Sequence, residues 1–344
     1  MRVLALGVVA LALVVWLGFG SPQSQVAKPP SLVVVSTDGL AAKSTVWIYD
    51  GDGLTRLGEV NHRVGAGVRA VTAPERGVVL VSADVSEDRS YGASLFRVEA
   101  GRAPQLLVDR LAHASRPLVA GDAIWVSRGV AGPALDGVRR VDALSVDSVG
   151  FDGVAHTRFE TAGWELHLGA TTGADVLVYL KGAAGAQLLT VSTDGSTHRL
   201  LPVGGLSQSA RDFTVDGRGR VVFADLDGSG WAVLRLESGN KERLLSSASD
   251  HLAPFAWRDD VAFSQLDSDG DVGLATLGRG ALGPVGRGVD VVRAVSSDGN
   301  WVALWHYRAG LVEPDVVLMP ATGGRARVLT PPAGTRFEIA GFWR

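Results

Sequence analysis

The segment 294–330, AVSSDGNWVALWHYRAGLVEPDVVLMPATGGRARVLT, constrains the fold more than any other part of the chain. Strand-like runs stand at 301–307, 315–319 and 325–329, with a short one before them at 292–295. Asp298-Gly299 and Gly323-Gly324 mark turns between them. Such pairs supply the positive φ angles that tight hairpins need, so the segment reads as one small antiparallel sheet. Its run WVALWHY at 301–307 is apolar on both faces apart from His306. Side chains of a strand alternate between faces, so a half-exposed strand would alternate in polarity. A run that does not alternate belongs to a strand covered on both sides. One four-stranded sheet cannot provide that cover; it needs a neighbour on each side.

A stacked sandwich and a ring of sheets both supply neighbours, and the period separates them. Runs equivalent to 301–307 recur around Val34, Leu80, Ile124, Val178, Phe223, Phe263 and Leu304. Their spacing of roughly 40–50 residues is that of a β-propeller, and a sandwich has no reason to keep it. The units run 68–109, 117–160, 164–201, 210–245, 252–285 and 292–330. The first unit, 32–60, has three strands, and its missing opening strand is matched by a surplus run, FEIAGFW at 337–343. The expectation is an all-β chain: a seven-bladed propeller of four-stranded antiparallel blades. The run 337–343 would pair beside LVVVS at 32–36 and close the ring. Six or eight blades are the alternatives. Closure would remove two sheet edges that otherwise invite aggregation.

A body of this length fits one large repeat unit. The net charge of −3, with no long run of one sign, argues against a nucleic-acid partner, which demands a basic stripe. Cysteine is absent, which excludes disulfides, thiolate metal sites, a thiol nucleophile and a lipid anchor carried on Cys. Residues 1–20 read as a signal peptide or a membrane signal-anchor helix, with the apolar run at 3–19 behind Arg2. Gly18 and Gly20 offer small residues for cleavage. Either reading exports the body to the periplasm or beyond, held at the cytoplasmic membrane if residues 3–19 are kept. Residues 21–31 form a Pro- and Gln-bearing linker, and 32–344 the propeller.

The repeats resemble a known family. Ser297-Asp298-Gly299, the apolar run after it, Gly323-Gly324 and Leu329-Thr330 are similar to the WD40-like "PD40" repeat of TolB-type propellers, with Ser where Pro is usual. Pro254, Trp257 and 261–263 match in the sixth unit, and Asp216-Gly217 and 221–223 in the fifth. The first four units match in period and strand pattern. The resemblance implies the fold and a habit of binding other proteins of the envelope, and no particular activity.

Motifs with chemical meaning have plainer readings. The run Gly278 to Gly283 fits G-x-G-x-x-G, but a dinucleotide site needs a strand before it and a helix after it, and this run reads as a hairpin turn. Asp267, Asp269 and Asp271 alternate as calcium ligands do, without the Gly and Glu spacing of a calcium loop. Asp225 and Asp227 hold the same place in the fifth unit, which points to a recurring turn. His62, His113, His156, His167, His198, His251 and His306 form no close pair, so a metal would have to be gathered across a central channel. Trp47, Trp125, Trp164, Trp231, Trp257, Trp301, Trp305 and Trp343 fall in or beside strands and read as packing between blades rather than a sugar platform. No catalytic, cofactor or metal residue is assigned. The leading expectation is a non-catalytic scaffold whose partner is another envelope protein. The alternative is an exported enzyme or ligand sensor using the channel, such as a metal-assisted hydrolase or a glycan binder.

Overall fold

The computed structural model describes residues 28–343 apart from 87–90, 113–115, 132–140, 163–164, 174, 183–184, 202, 204, 229, 238, 248–251, 258–259, 267–271, 279, 282–287, 309–312, 323–324 and 333. The expected helix at 1–20 and most of the linker lie outside these residues. Among the described residues no helix is long and apolar enough to cross a membrane.

The chain is a succession of antiparallel sheets. The first joins β1 (Leu32–Asp38), β2 (Lys43–Tyr49) and β3 (Leu54–Asn61) to the C-terminal strand β28 (Thr335–Phe342), in the order β28-β1-β2-β3. Next come β4 (Val68–Ala73), β5 (Val78–Asp84), β6 (Ala93–Val98) and β7 (Gln105–Leu111). They are followed by β8 (Leu118–Ala120), β9 (Ala123–Ala131), β10 (Val141–Val149) and β11 (Ala155–Thr161). These two sets make one eight-stranded sheet through a single bridge, Leu111 to Arg128. Four four-stranded sheets complete the body. They are β12 (Glu165–Thr171), β13 (Asp175–Gly182), β14 (Gly185–Ser192) and β15 (His198–Leu200); then β16 (Arg211–Val215), β17 (Val221–Leu226), β18 (Trp231–Glu237) and β19 (Asn240–Ser247). The last two are β20 (Phe255–Trp257), β21 (Asp260–Leu266), β22 (Val272–Thr276) and β23 (Gly280–Ala281); then β24 (Gly288–Val295), β25 (Trp301–Arg308), β26 (Asp315–Pro320) and β27 (Arg327–Leu329).

The pairing of β28 with β1 follows the sequence expectation, with Ser36 opposite Phe337 and Val34 opposite Ile339. A bulge skips Ala340, and Gly341 takes φ +141 there. A Cβ on Gly341 would meet Thr72 Oγ1 at 2.7 Å, so the close approach of β28 to β4 requires glycine. Two boundaries differ from expectation. The third set opens with a short strand, β8, that its Pro-preceded sequence hides. The sixth begins at Phe255 rather than Leu252, because Ala253 has φ +34 and Pro254 follows it.

The apolar runs are explained by where their two faces go. Val33 and Val35 pack with Val68, Val79 and Val81 of the following sheet, whereas Val34 packs with Trp301, Ala303 and Leu318 of the last. Leu80 faces Ile124 and Val126, while Val79 and Val81 face back. Phe223 meets Leu177 and Leu188, and its neighbour Val222 meets Val261 and Phe263. Leu304 and Val302 pack on Trp257 and Ala262. Trp125 and Leu144 meet Val176 and Val178. Each second strand thus serves two cores, which is why it cannot alternate in polarity. Each fully buried Val, Leu or Phe contributes roughly 1.5–3 kcal/mol. The tryptophans of the described residues belong to these contacts: Trp257 Nε1 donates to Gly299 O at 3.1 Å and Trp305 Nε1 to Phe337 O at 3.1 Å.

Candidate functional site

The opening strands of the sheets line a common space. β28 touches β4, β4 touches β8, and the contacts continue through β12, β16, β20 and β24 back to β28. They enclose a cavity of ≈ 1100 Å³. Its wall includes Val71, Phe213, Phe255, Val291, Trp305 and Trp343, interrupted by a set of cations: Arg69, Arg116, Lys181, Arg211 and Arg293. The arginines share a local pattern. Arg69 lies in VRAVT at 68–72 and Arg293 in VRAVS at 292–296; Arg211 opens RDFT and Arg116 opens RPLV. Each stands near the start of an inner strand, or inside it, ahead of the turn to the second strand. Repetition of the unit therefore repeats the charge around the cavity.

Arg116 is the most enclosed. Its Nε donates to Ala70 O at 2.9 Å, and its Nη2 donates to Ile339 O at 2.8 Å and Ala340 O at 3.2 Å. One guanidinium so ties the segment before β8 to β4 and β28. Loss of solvation, then the positive charge of Arg293, bring its pKa down to about 10; Arg69 acts in the same sense and Glu338 against it. Arg293 lies over the Trp305 ring at 4.3 Å, and its Nη2 is 3.6 Å from Glu338 Oε1. That separation makes an ion pair but is too long for a hydrogen bond, and neither Arg293 Nε nor Glu338 Oε1 has a hydrogen-bond partner. Arg69 spends one donor, Nη1 to Val68 O at 3.1 Å.

The opposite part of the wall is more balanced. Glu165 Oε2 is 3.0 Å from His167 Nε2 and 3.1 Å from Lys181 Nζ, and those contacts, the histidine first, hold its carboxyl below the usual range. Asp212 lies 3.5 Å from Arg211 and has φ +54, uncommon for a side chain other than glycine. Its side chain is partly exposed on the cavity wall, yet surrounding protein desolvates it and raises its pKa against the pull of Arg211 and Arg293.

Residues singled out in the sequence fall elsewhere or have structural partners. Asp267, Asp269 and Asp271 lie outside the described residues, as do His113, His251, Trp164, Arg279, Leu282 and Gly283. Gly280 and Ala281 form a strand rather than a helix start, and Gly278 N donates to Asp260 Oδ2 at 2.8 Å. Asp225 is buried and accepts from Ser207 N at 3.2 Å and from Ser207 Oγ, tying down the loop that enters β16. His306 is buried with Nδ1 2.7 Å from Asp290 Oδ1. His62 Nε2 pairs with Ser44 Oγ at 2.8 Å. His167 lines the cavity. Among the described residues no group of three or more His, Cys, Asp or Glu is placed to hold a metal ion. Sequence reading missed the arginines; the repeated V-R-A-V at 68–71 and 292–295 was the available signal.

No protein-family model and no curated protein sequence matches the chain. Solved structures do. TolB from Acinetobacter baumannii aligns over 93% of this chain and 69% of its own, with 11% identity and a TM-score of 0.51. The fold is that of the TolB-like β-propellers. Propeller-containing hydrolases align as well. Puromycin hydrolase does so over 90% of this chain with 15% identity and a TM-score of 0.61. Prolyl oligopeptidase B from Galerina marginata does so over 91% with 10% identity and a TM-score of 0.62. The propeller described here spans about half of those two chains, 55% and 52%. At these identities the likeness concerns the fold.

Proposed function

We propose that the chain is a seven-bladed propeller of the cell envelope that binds another envelope protein without catalysing a reaction. The observation behind this reading is the ring of inner strands, cross-fastened by Arg116 and by Thr72 Oγ1 donating to Phe342 O at 3.1 Å. It makes a rigid frame with loops at both ends, and loops on such frames commonly carry binding. The bridge at Leu111 and Arg128 joins two blades edge to edge and leaves each with four strands of its own. Export rests on residues 1–20, read as a signal peptide or as an anchor through residues 3–19.

A photo-reactive residue placed at Arg102, in an exposed loop, or at Asp122 at another, tests the partner in an intact envelope preparation. The expected outcome is a discrete adduct with one protein; free chain from every rim position sinks the reading. Mass measurement of the exported product shows whether residues 1–20 remain. The second reading, an exported enzyme working in the channel, draws support from the likeness to the two hydrolase propellers. Metal analysis of the purified chain, paired with Asp212→Asn, separates the two: a stoichiometric ion lost in the variant favours the enzyme.

A further inference from the structure

We infer that Arg69 and Arg293, with Arg116 behind them, form a site in the channel for one oxyanion group, a carboxylate or a phosphate, of a small ligand. The inference does not depend on a protein partner at the rim. β4 and β24, which carry Arg69 and Arg293, lie on either side of β28, which carries Glu338. Arg69, Arg116 and Arg293 line the same cavity, and Arg293, Glu338 and Arg69 are the charged groups that act on Arg116. Glu338 is 6% exposed and stands 3.6 Å from Arg293 without a hydrogen bond. Asp212, which also feels Arg293, is a second carboxylate of this wall, and with Arg211 the set stands at four guanidiniums against two carboxylates. Positive charge in a partly desolvated wall is costly unless it is matched, and two carboxylates do not match four guanidiniums.

The spare donors are in the right places. Arg116 uses its Nε and Nη2 on three backbone carbonyls, so it supplies mainly charge. A guanidinium has five N–H donors in a planar fork suited to carboxylate and phosphate. Arg69 has one engaged; Arg293 Nε is buried without an acceptor, and its Nη2 stands 3.6 Å from Glu338, so it is the amino edge of that fork that is left for a ligand. The Trp305 ring under Arg293 fixes the plane of that fork. Part of the same wall is apolar and aromatic, including Val71, Val291, Phe342 and Trp343. A volume of ≈ 1100 Å³ admits more than the anion itself, so the anionic group is the anchor of a larger, partly apolar molecule.

The test is calorimetric titration of the purified full chain with inorganic phosphate and, separately, with succinate, at low ionic strength. At least one probe is expected to bind with millimolar affinity or better, weakened by added salt. Arg69→Gln and Arg293→Gln should each weaken binding about tenfold, the loss of one hydrogen bond to a charged group. Arg235→Gln, on β18 and away from the cavity wall, should leave it unchanged. Glu338→Gln should tighten it several-fold, a gain that misfolding cannot produce. The stronger probe assigns the anchor as phosphoryl or carboxylate. Absence of binding by both probes at about 10 mM, unchanged affinity in both arginine variants, or no gain in Glu338→Gln overturns the site.

Discussion

Single residues show how much of this structure depends on polar groups that span units. Arg116, in the segment before β8, holds carbonyls of β4 and β28, and those buried residues have little water to turn to. Arg116→Met keeps the length of the side chain and removes the donors. It is expected to cost roughly 1–3 kcal/mol in chemical denaturation, more than Arg235→Gln on β18, whose partner is the exposed Glu242. Asp216 serves the turn between β16 and β17. Its Oδ1 accepts from Arg218 N and Arg220 N, both at 3.0 Å, and Oδ2 accepts from Arg220 Nε at 2.8 Å. Burial raises its pKa, but the bonds from Arg220 and Arg218 outweigh that, and the net shift is below 3.8. A carboxyl with a depressed folded pKa stabilises fully above the unfolded value and loses that contribution as pH falls through the folded one. Asp216→Ala is therefore expected to be less stable than wild type at pH 7, by about 1–2 kcal/mol, with the gap closing below about pH 3.8. A gap that persists at pH 2 contradicts this.

At the scale of strands, the second strand of each set is the unit of stability, because its alternate residues enter different cores. Phe223 is fully buried and stacks on Phe213 at 5.3 Å, while Val222 beside it enters the next core. Phe223→Ala is expected to cost about 3–5 kcal/mol by equilibrium unfolding, the price of a large cavity in packed surroundings. These strands were the legible part of the sequence, since a run such as 301–307 has no other physical explanation than cover on both faces. The short inner strands were harder. Three residues at Leu118–Ala120 carry too little pattern to identify, and Pro254 sits where a strand was expected to be under way. The cation set was invisible for another reason. Arg69, Arg116 and Arg293 lie in separate repeats, and only the closed ring brings them to one wall.

The whole molecule depends on a seam that no covalent bond secures. Asp38 and Thr335 face one another at one end of the β1–β28 pair, and the chain has no cysteine of its own. Asp38→Cys with Thr335→Cys is expected to form one disulfide and, on oxidation, to raise the midpoint of denaturant unfolding, with a gain of up to about 4–5 kcal/mol for so long a loop. Equal midpoints for the oxidised and reduced forms would contradict this. The order of synthesis gives the same seam a temporal meaning. β28 leaves the ribosome after every other strand among the described residues, yet it is the partner of the first of them. Until it arrives, β1 keeps an open edge and the sheets on either side lack the wall between them, so shape is completed only after translation of the entire body.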